Sequence, residues 1–222
     1  MKSYQNLVLL QNLYRLKSIG FKYIDPFSVN TTKNDIQSYS TPNSLIELNR
    51  NIANCYLCDL SKSRSQSMSG YGNINADLMI IDYSVSQAQD TTKSYYPGRS
   101  GEILKNMIEN VLQLSTEDVF LTHAIKCKPL KSNKPSPSEW NSCKSYLHTQ
   151  LEFVKPRIIV TLGSDAYAKL TNDNDNFENV RGHVIDFQSY KLIPIYHPSH
   201  LLRNPELKKI TMSDLKTIKS CL

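Results

Sequence analysis

Between residues 77 and 196, short apolar runs alternate with amphipathic stretches, and this alternation restricts the fold more than any other feature of the chain. Asp77–Asp82 (DLMIID), Val119–Ile125, Arg157–Leu162 (RIIVTL), Val184–Phe187 and Lys191–Tyr196 read as strands. Ser100–Leu112 reads as a helix with Ile103, Leu104, Met107, Ile108 and Val111 turned inward. Ser136-Pro137-Ser138-Glu139 is a capping box with Pro at the first helical position, and it opens a helix to about Val154. Gly163 closes a strand before a further helix over Asp165–Leu170, and Asn172–Asn179 is a polar loop. Such alternation implies an α/β fold, a mainly parallel sheet with helices on both faces. Active sites in these sheets sit at the carboxyl ends of the strands.

The remainder of the chain reads as appendage. Residues 3–18 carry Tyr4, Leu7, Leu10, Leu13 and Tyr14 at helical spacing, and residues 28–41 have linker composition. Thr41-Pro42 looks like a cap and first-turn pair for a helix that buries Leu45, Leu48 and Ile52. The expected division is residues 1–43, helix plus flexible linker, and residues 44–222, one globular domain. Leu78-Met79-Ile80-Ile81 and similar runs are far too short to cross a bilayer, and Gln11 and Asn12 interrupt the one candidate leader. A cytoplasmic protein with no membrane partner, acting as a monomer, is expected. The formal charge of +6 favours an anionic partner, nucleic acid being the commonest. A mildly basic enzyme fits the charge equally well.

Five cysteines in a reducing compartment argue against a disulfide framework. Cys55 and Cys58 form a CxxC, and Cys127 and Cys143 stand sixteen positions apart, each expected to flank a regular element. Four thiolates can hold zinc or an iron–sulfur cluster. The bland alternative is a set of buried, unconnected thiols. Cys221 is left over. No flavin or nicotinamide fingerprint accompanies the cysteines.

Five segments occur in a telling order: SLIELNRNIANCYLCDLSKSR (44–64), ADLMIID (76–82), YYPGRSGEILKNMI (95–108), VFLTHAIKCKPL (119–130) with the helix–strand segment after it, and YHPSHLLRNP (196–205). This run resembles the family 4 uracil-DNA glycosylases, the iron–sulfur branch of their superfamily, over about residues 44–205. The resemblance implies a three-layer α/β/α sandwich and a [4Fe–4S] cluster on Cys55, Cys58, Cys127 and Cys143, with zinc as the runner-up. It also implies excision of uracil, or a related deaminated base, from DNA by base flipping and N-glycosidic hydrolysis.

Residue roles follow from matched positions. Tyr96 stands where the family stacks a Phe on the flipped base. His197, in His197-Pro198-Ser199, matches the histidine that donates to the uracil oxygen. Gly98, Arg99 and Ser100 open a helix suited to a phosphate. Ser199 and Arg203, with Asn204, suit the DNA backbone, and Leu201 or Leu202 is placed to wedge into the duplex. Lys126, Lys128, Lys131 and Lys134 form a basic stretch around Cys127.

Two positions depart from the family. Its Gly-Glu-Ala-Pro-Gly turn is replaced by Asp82-Tyr83-Ser84-Val85-Ser86, so that Tyr83 and Ser84 line the expected base pocket and Asp82, one residue early, is the candidate carboxylate for orienting water. Asp90 matches a nearby acidic position. His123 replaces the Asn that reads the uracil edge; a neutral imidazole also offers one donor and one acceptor. Two other functions compete: an inactive iron–sulfur DNA-binding protein that keeps the fold, and a zinc-stabilised module that binds RNA or protein.

Overall fold

The computed structural model describes Arg15 and residues 42–130, 134–173 and 175–222. The helix expected over 3–18 and the linker over 28–41 lie outside the described residues, Arg15 excepted. Helix α1 (Leu45–Ala53) starts one turn later than Thr41-Pro42 suggested, because Ser44 is the cap and its hydroxyl accepts from the Glu47 amide. It buries Leu45, Leu48 and Ile52 as expected.

A six-stranded sheet follows, with β1 Tyr71–Gly72, β2 Leu78–Ser84, β3 Phe120–Ile125, β4 Ile158–Leu162, β5 Ile185–Phe187 and β6 Tyr190–Ile195 in the spatial order β1-β3-β2-β4-β6-β5. The four inner strands are parallel, and the edge strands β1 and β5 pair antiparallel. Alternation along β2 explains the layers. Leu78 and Ile80 face one core with Leu104, Ile108, Leu215 and Ile218, whereas Met79 and Ile81 face another with Leu147, Leu151 and Tyr167. A sheet buried on both faces needs helices on both sides. Helices α3 (Gly98–Asn106) and α8 (Lys208–Cys221) cover the first face, and α1, α4 (Pro137–Val154) and α5 (Ser164–Thr171) cover the second. The expected three-layer α/β/α sandwich is the observed one.

Several details depart from the sequence reading. Ser86 caps a short helix, α2 (Gln87–Thr92), through a complete capping box with Gln89. The last turn of the helix expected over Ser100–Leu112 widens into π geometry at Met107–Leu112. The polar loop at 172–179 gives way to α6 (Phe177–Val180), capped by the Asn176 side chain. Helix α8 lies beyond the expected elements. Cys143 sits inside α4 rather than beside it, two turns from its Ser136 cap. Among the described residues, no helix is long and apolar enough to cross a membrane.

The helices following β2 and β4 leave toward opposite faces of the sheet. That is the topological arrangement at which open α/β sheets leave a crevice beyond their strand ends. Asp82 ends the inner part of β2, His123 lies on β3, and His197 directly follows β6.

Candidate active site

His197 is the cap of the short helix α7 (Pro198–Arg203), and its imidazole Nδ1 accepts from the Ser199 amide at 3.0 Å. That contact puts the ring's proton on Nε2. Nε2 in turn meets Asp82 Oδ2 at 3.3 Å, across 115 positions of sequence. Pro198 fixes the first turn of α7, and Gly163, at φ +83°, lets the end of β4 pass close to this histidine. A Cβ at Gly163 would stand 3.3 Å from the His197 Cβ.

The Asp82 carboxylate is 14% exposed and His197 30%, so both are partly shielded from solvent. Burial by itself would raise the Asp82 carboxyl, but the charge and hydrogen bond of His197, His123 and the Tyr83 amide together hold it below its ordinary range. Burial lowers His197, and the Asp82 charge and hydrogen bond more than offset this, leaving it above its ordinary value. His123 is wholly buried, and burial pushes it down to about 4. A histidine NMR titration should therefore find His197 changing charge above pH 6.5 and His123 still neutral at pH 5. Asp82→Asn should move the His197 midpoint downward; an unmoved midpoint would show that the pair is not electrostatically coupled.

Strand alternation displaces Tyr83, and burial displaces His123 and Leu201, from the positions expected of them. Asp82 and Tyr83 point to opposite faces of β2, so Tyr83 packs into the α4–α5 layer and not into the base site. Ser84 shares the Asp82 face and is half-buried. His123 is on the correct face, yet it lies beneath the site: its Nε2 is 3.2 Å from Gln89 Oε1 and 3.9 Å from Asp82, and its Nδ1 is buried without a partner. It cannot read a base edge from this position without rearrangement of its neighbours. Of the two leucines expected to wedge into the duplex, Leu201 is 1% exposed on the inner side of α7, whereas Leu202 is exposed.

The two adjacent tyrosines are placed differently. The ring against His123 is that of Tyr95, with centroids 5.6 Å apart, and Tyr71 stacks on Tyr95 with centroids also 5.6 Å apart. The Tyr95 hydroxyl accepts from the Gly70 amide at 2.6 Å. Tyr96 packs toward α3 with Tyr71 edge-on, and its hydroxyl is buried without a partner. Two adjacent tyrosines offer no sequence signal for which ring turns inward. Gly101 fixes this loop, since a Cβ there would lie 2.1 Å from the Tyr96 carbonyl carbon. In thermal unfolding, Tyr96→Phe should be neutral or stabilising by up to about 1 kcal/mol, and Tyr95→Phe destabilising by about 1 kcal/mol. The reverse order would overturn this assignment of the two rings.

Gly98, Arg99 and Ser100 begin α3, whose first turn has no acidic residue and no side-chain cap. Ser199 is half-buried beside His197, and Arg203 is exposed at the end of α7. The expected lysine stretch is not a single patch. Lys126 is fully buried, with Nζ donating to Thr122 Oγ1 at 2.8 Å, to the His123 carbonyl at 2.6 Å and to Gln150 Oε1. Lys128 and Lys134 are spoken for by Gln87 and Asp165, and Lys131 lies outside the described residues. Asp90, 2% exposed, accepts from the Ser65 amide and hydroxyl and holds that loop to α2.

A second constellation lies behind the strand ends. Cys55, Cys58, Cys127 and Cys143 all line one partly open cavity, together with Arg64, Ile125 and Tyr146. Cys127 and Cys143 are buried, and Cys55 and Cys58 half-buried. Burial pushes the Cys143 thiol up to about 12 and raises Cys127 and Cys58 as well. Among the described residues, no three His, Cys, Asp or Glu side chains close around a single-ion position.

A parallel-sheet sandwich with an acid–histidine pair at its strand ends and a polar-capped turn before a short helix defines a class of α/β enzymes whose chemistry sits in the strand-end crevice. The chain belongs to the uracil DNA glycosylase superfamily, whose family model matches residues 69–216. It is 32% identical to the Type-4 uracil-DNA glycosylase of Saccharolobus solfataricus over 77% of this chain and 83% of that one. It is similarly 32% identical to the Type-4 enzyme of Archaeoglobus fulgidus, over 79% and 92% of the two chains, and 30% identical to that of Thermotoga maritima, over 81% and 96%.

Proposed function

We propose that this protein is a DNA-repair glycosylase that releases uracil, or a closely related deaminated base, from DNA and leaves an abasic site. The observation that carries the reading is the Asp82–His197 pair, held at 3.3 Å between two strand ends in a chain of this superfamily. Breaking an N-glycosidic bond leaves positive charge on the sugar and negative charge on the departing base. The ionised Asp82 carboxylate supplies the first requirement, facing the sugar and orienting water. The His197 Nε2–H, placed on that nitrogen by the Ser199 amide at Nδ1, supplies the second by turning from Asp82 to donate to the base oxygen that gains charge. An inactive DNA-binding protein would have no need for this buried charge coupling.

The four thiols suit a [4Fe–4S] cluster better than zinc. A single zinc holds each sulfur at about 2.3 Å, which draws the thiolates to within about 4 Å of one another. The resemblance to the iron–sulfur branch favours the cluster, and the cavity that all four thiols line is where it would sit. Cys55, Cys58, Cys127 and Cys143 would hold it, and when bound it would cross-link the loop after α1, the end of β3 and α4. The free amides at Gly98–Ser100 suit a phosphate, and Leu202 and Arg203 face solvent where a duplex would lie.

The test is a uracil-containing oligonucleotide, single- or double-stranded, treated with the anaerobically purified protein and then with alkali. Strand breakage at the uracil is the expected result. No breakage above background from protein that retains its cluster would reject the catalytic reading, and salt-sensitive DNA binding without base release would favour the inactive alternative.

A further inference from the structure

Among the described residues, the one guanidinium that lines the thiol cavity makes three hydrogen bonds. Arg64 Nη1 donates to Cys127 Sγ at 3.0 Å, and Nη2 donates to the carbonyls of Ala53 at 3.0 Å and Cys55 at 2.8 Å. The Ala53 carbonyl is at the end of α1, where backbone acceptors lack helical partners. The Cys55 carbonyl opens the CxxC loop. Cys127 belongs to the far side of the cavity, 63 positions away in sequence. Arg64 itself is held in place from behind, because the adjacent Ser65 is bound through both amide and hydroxyl to the buried Asp90. Its other face lies 6.0 Å from the Tyr56 ring centroid, within the CxxC loop.

We propose that Arg64 is the positioning residue of the cluster site: one planar fork clamps the CxxC loop to the end of β3 and donates a hydrogen bond to the sulfur that would ligate iron. This rests on the cluster reading above. A lysine cannot substitute fully, since its ammonium is a point charge without the fork that spans three acceptors. An N–H donor to a ligand sulfur draws charge from the metal–sulfur bond, and such outer partners typically change metal affinity by tenfold or more.

The test compares the full-length wild type with Arg64→Gln and Arg64→Lys, all purified anaerobically. Iron and acid-labile sulfide are counted, iron release to a ferrous chelator is timed, and the iron–cysteine sulfur stretch is read by resonance Raman. Arg64→Gln should release iron at least about fivefold faster, with the stretch moved to higher frequency as the hydrogen bond to sulfur is lost. Arg64→Lys, which folds with the charge retained, should release iron at least about twofold faster; it decides the matter should Arg64→Gln fail to fold. Either readout at its wild-type value in both variants overturns the assignment of Arg64. Wild-type protein without iron and sulfide instead removes the cluster reading itself, and Arg64 with it.

Discussion

Asp82→Asn should lower the rate of uracil release by about a hundredfold or more, the range expected when a positioned carboxylate that activates water is neutralised. The substitution is nearly isosteric, so the contact to His197 and the hydrogen bond from the Tyr83 amide can persist in altered form. What disappears is the negative charge. Asp82 is held below its ordinary pKa by its surroundings, so it is ionised throughout the neutral range, and its charge is lost only as pH falls through a value under 3.8. An acid limb in the pH–rate profile near pH 6 is therefore not attributable to this group. Affinity for uracil-free DNA should be unchanged, since Asp82 is largely buried and does not form the outer surface. Release rates within threefold of wild type would place the essential carboxylate elsewhere.

The location of this carboxylate shows how far the residues alone carry the argument. The sheet, its parallel centre and the helices on both faces follow from apolar runs whose alternation fills two cores at once, as along Leu78–Ile81. Asp82 and His197 could be singled out because one ends an apolar strand and the other precedes a proline in a short motif. Their mutual contact was not legible, because it spans two strands whose order nothing local specifies. Tyr83 illustrates the limit from the other side. Its match to the family's turn gives it a site position, whereas the twofold period of a strand sends it to the opposite face. Strand β2 runs two residues past Asp82, and that parity excludes Tyr83 from the Asp82 face. The different surroundings of Tyr95 and Tyr96, and of Leu201 and Leu202, have a similar cause: in each pair, neighbouring residues of like character differ only in which side the backbone turns inward. Lys126 was misleading for a different reason. A lysine in a basic stretch reads as solvated, and only the placement of Thr122 and Gln150 beneath it reveals three buried acceptors.

If the four thiols hold the proposed cluster, Cys143→Ala should cost the protein both the iron and much of its thermal stability. Cys143 is the most deeply set of the four thiols with respect to regular structure, since α4 carries it and that helix also provides Leu147, Leu151 and Gln150 to the core beneath the sheet. The Lys126 amide points at its sulfur from 3.4 Å, so the end of β3 and α4 meet at this position. In a thiol-bound site, metal-binding free energy is folding free energy, because the unfolded chain does not preassemble the ligands. Loss of several kcal/mol corresponds to a melting temperature lower by on the order of 10 °C for a chain of this size. Cys221→Ala, outside the cavity, is the matched control and should change neither iron content nor melting temperature by more than about 2 °C. The two readouts separate the alternatives: buried thiols without a metal predict a small cavity effect in Cys143→Ala and no bound iron in either protein, whereas a zinc site predicts colourless protein with one zinc lost alongside the stability. Only a cluster predicts that brown colour, iron and sulfide disappear together, and that they do so with Cys143→Ala while surviving Cys221→Ala.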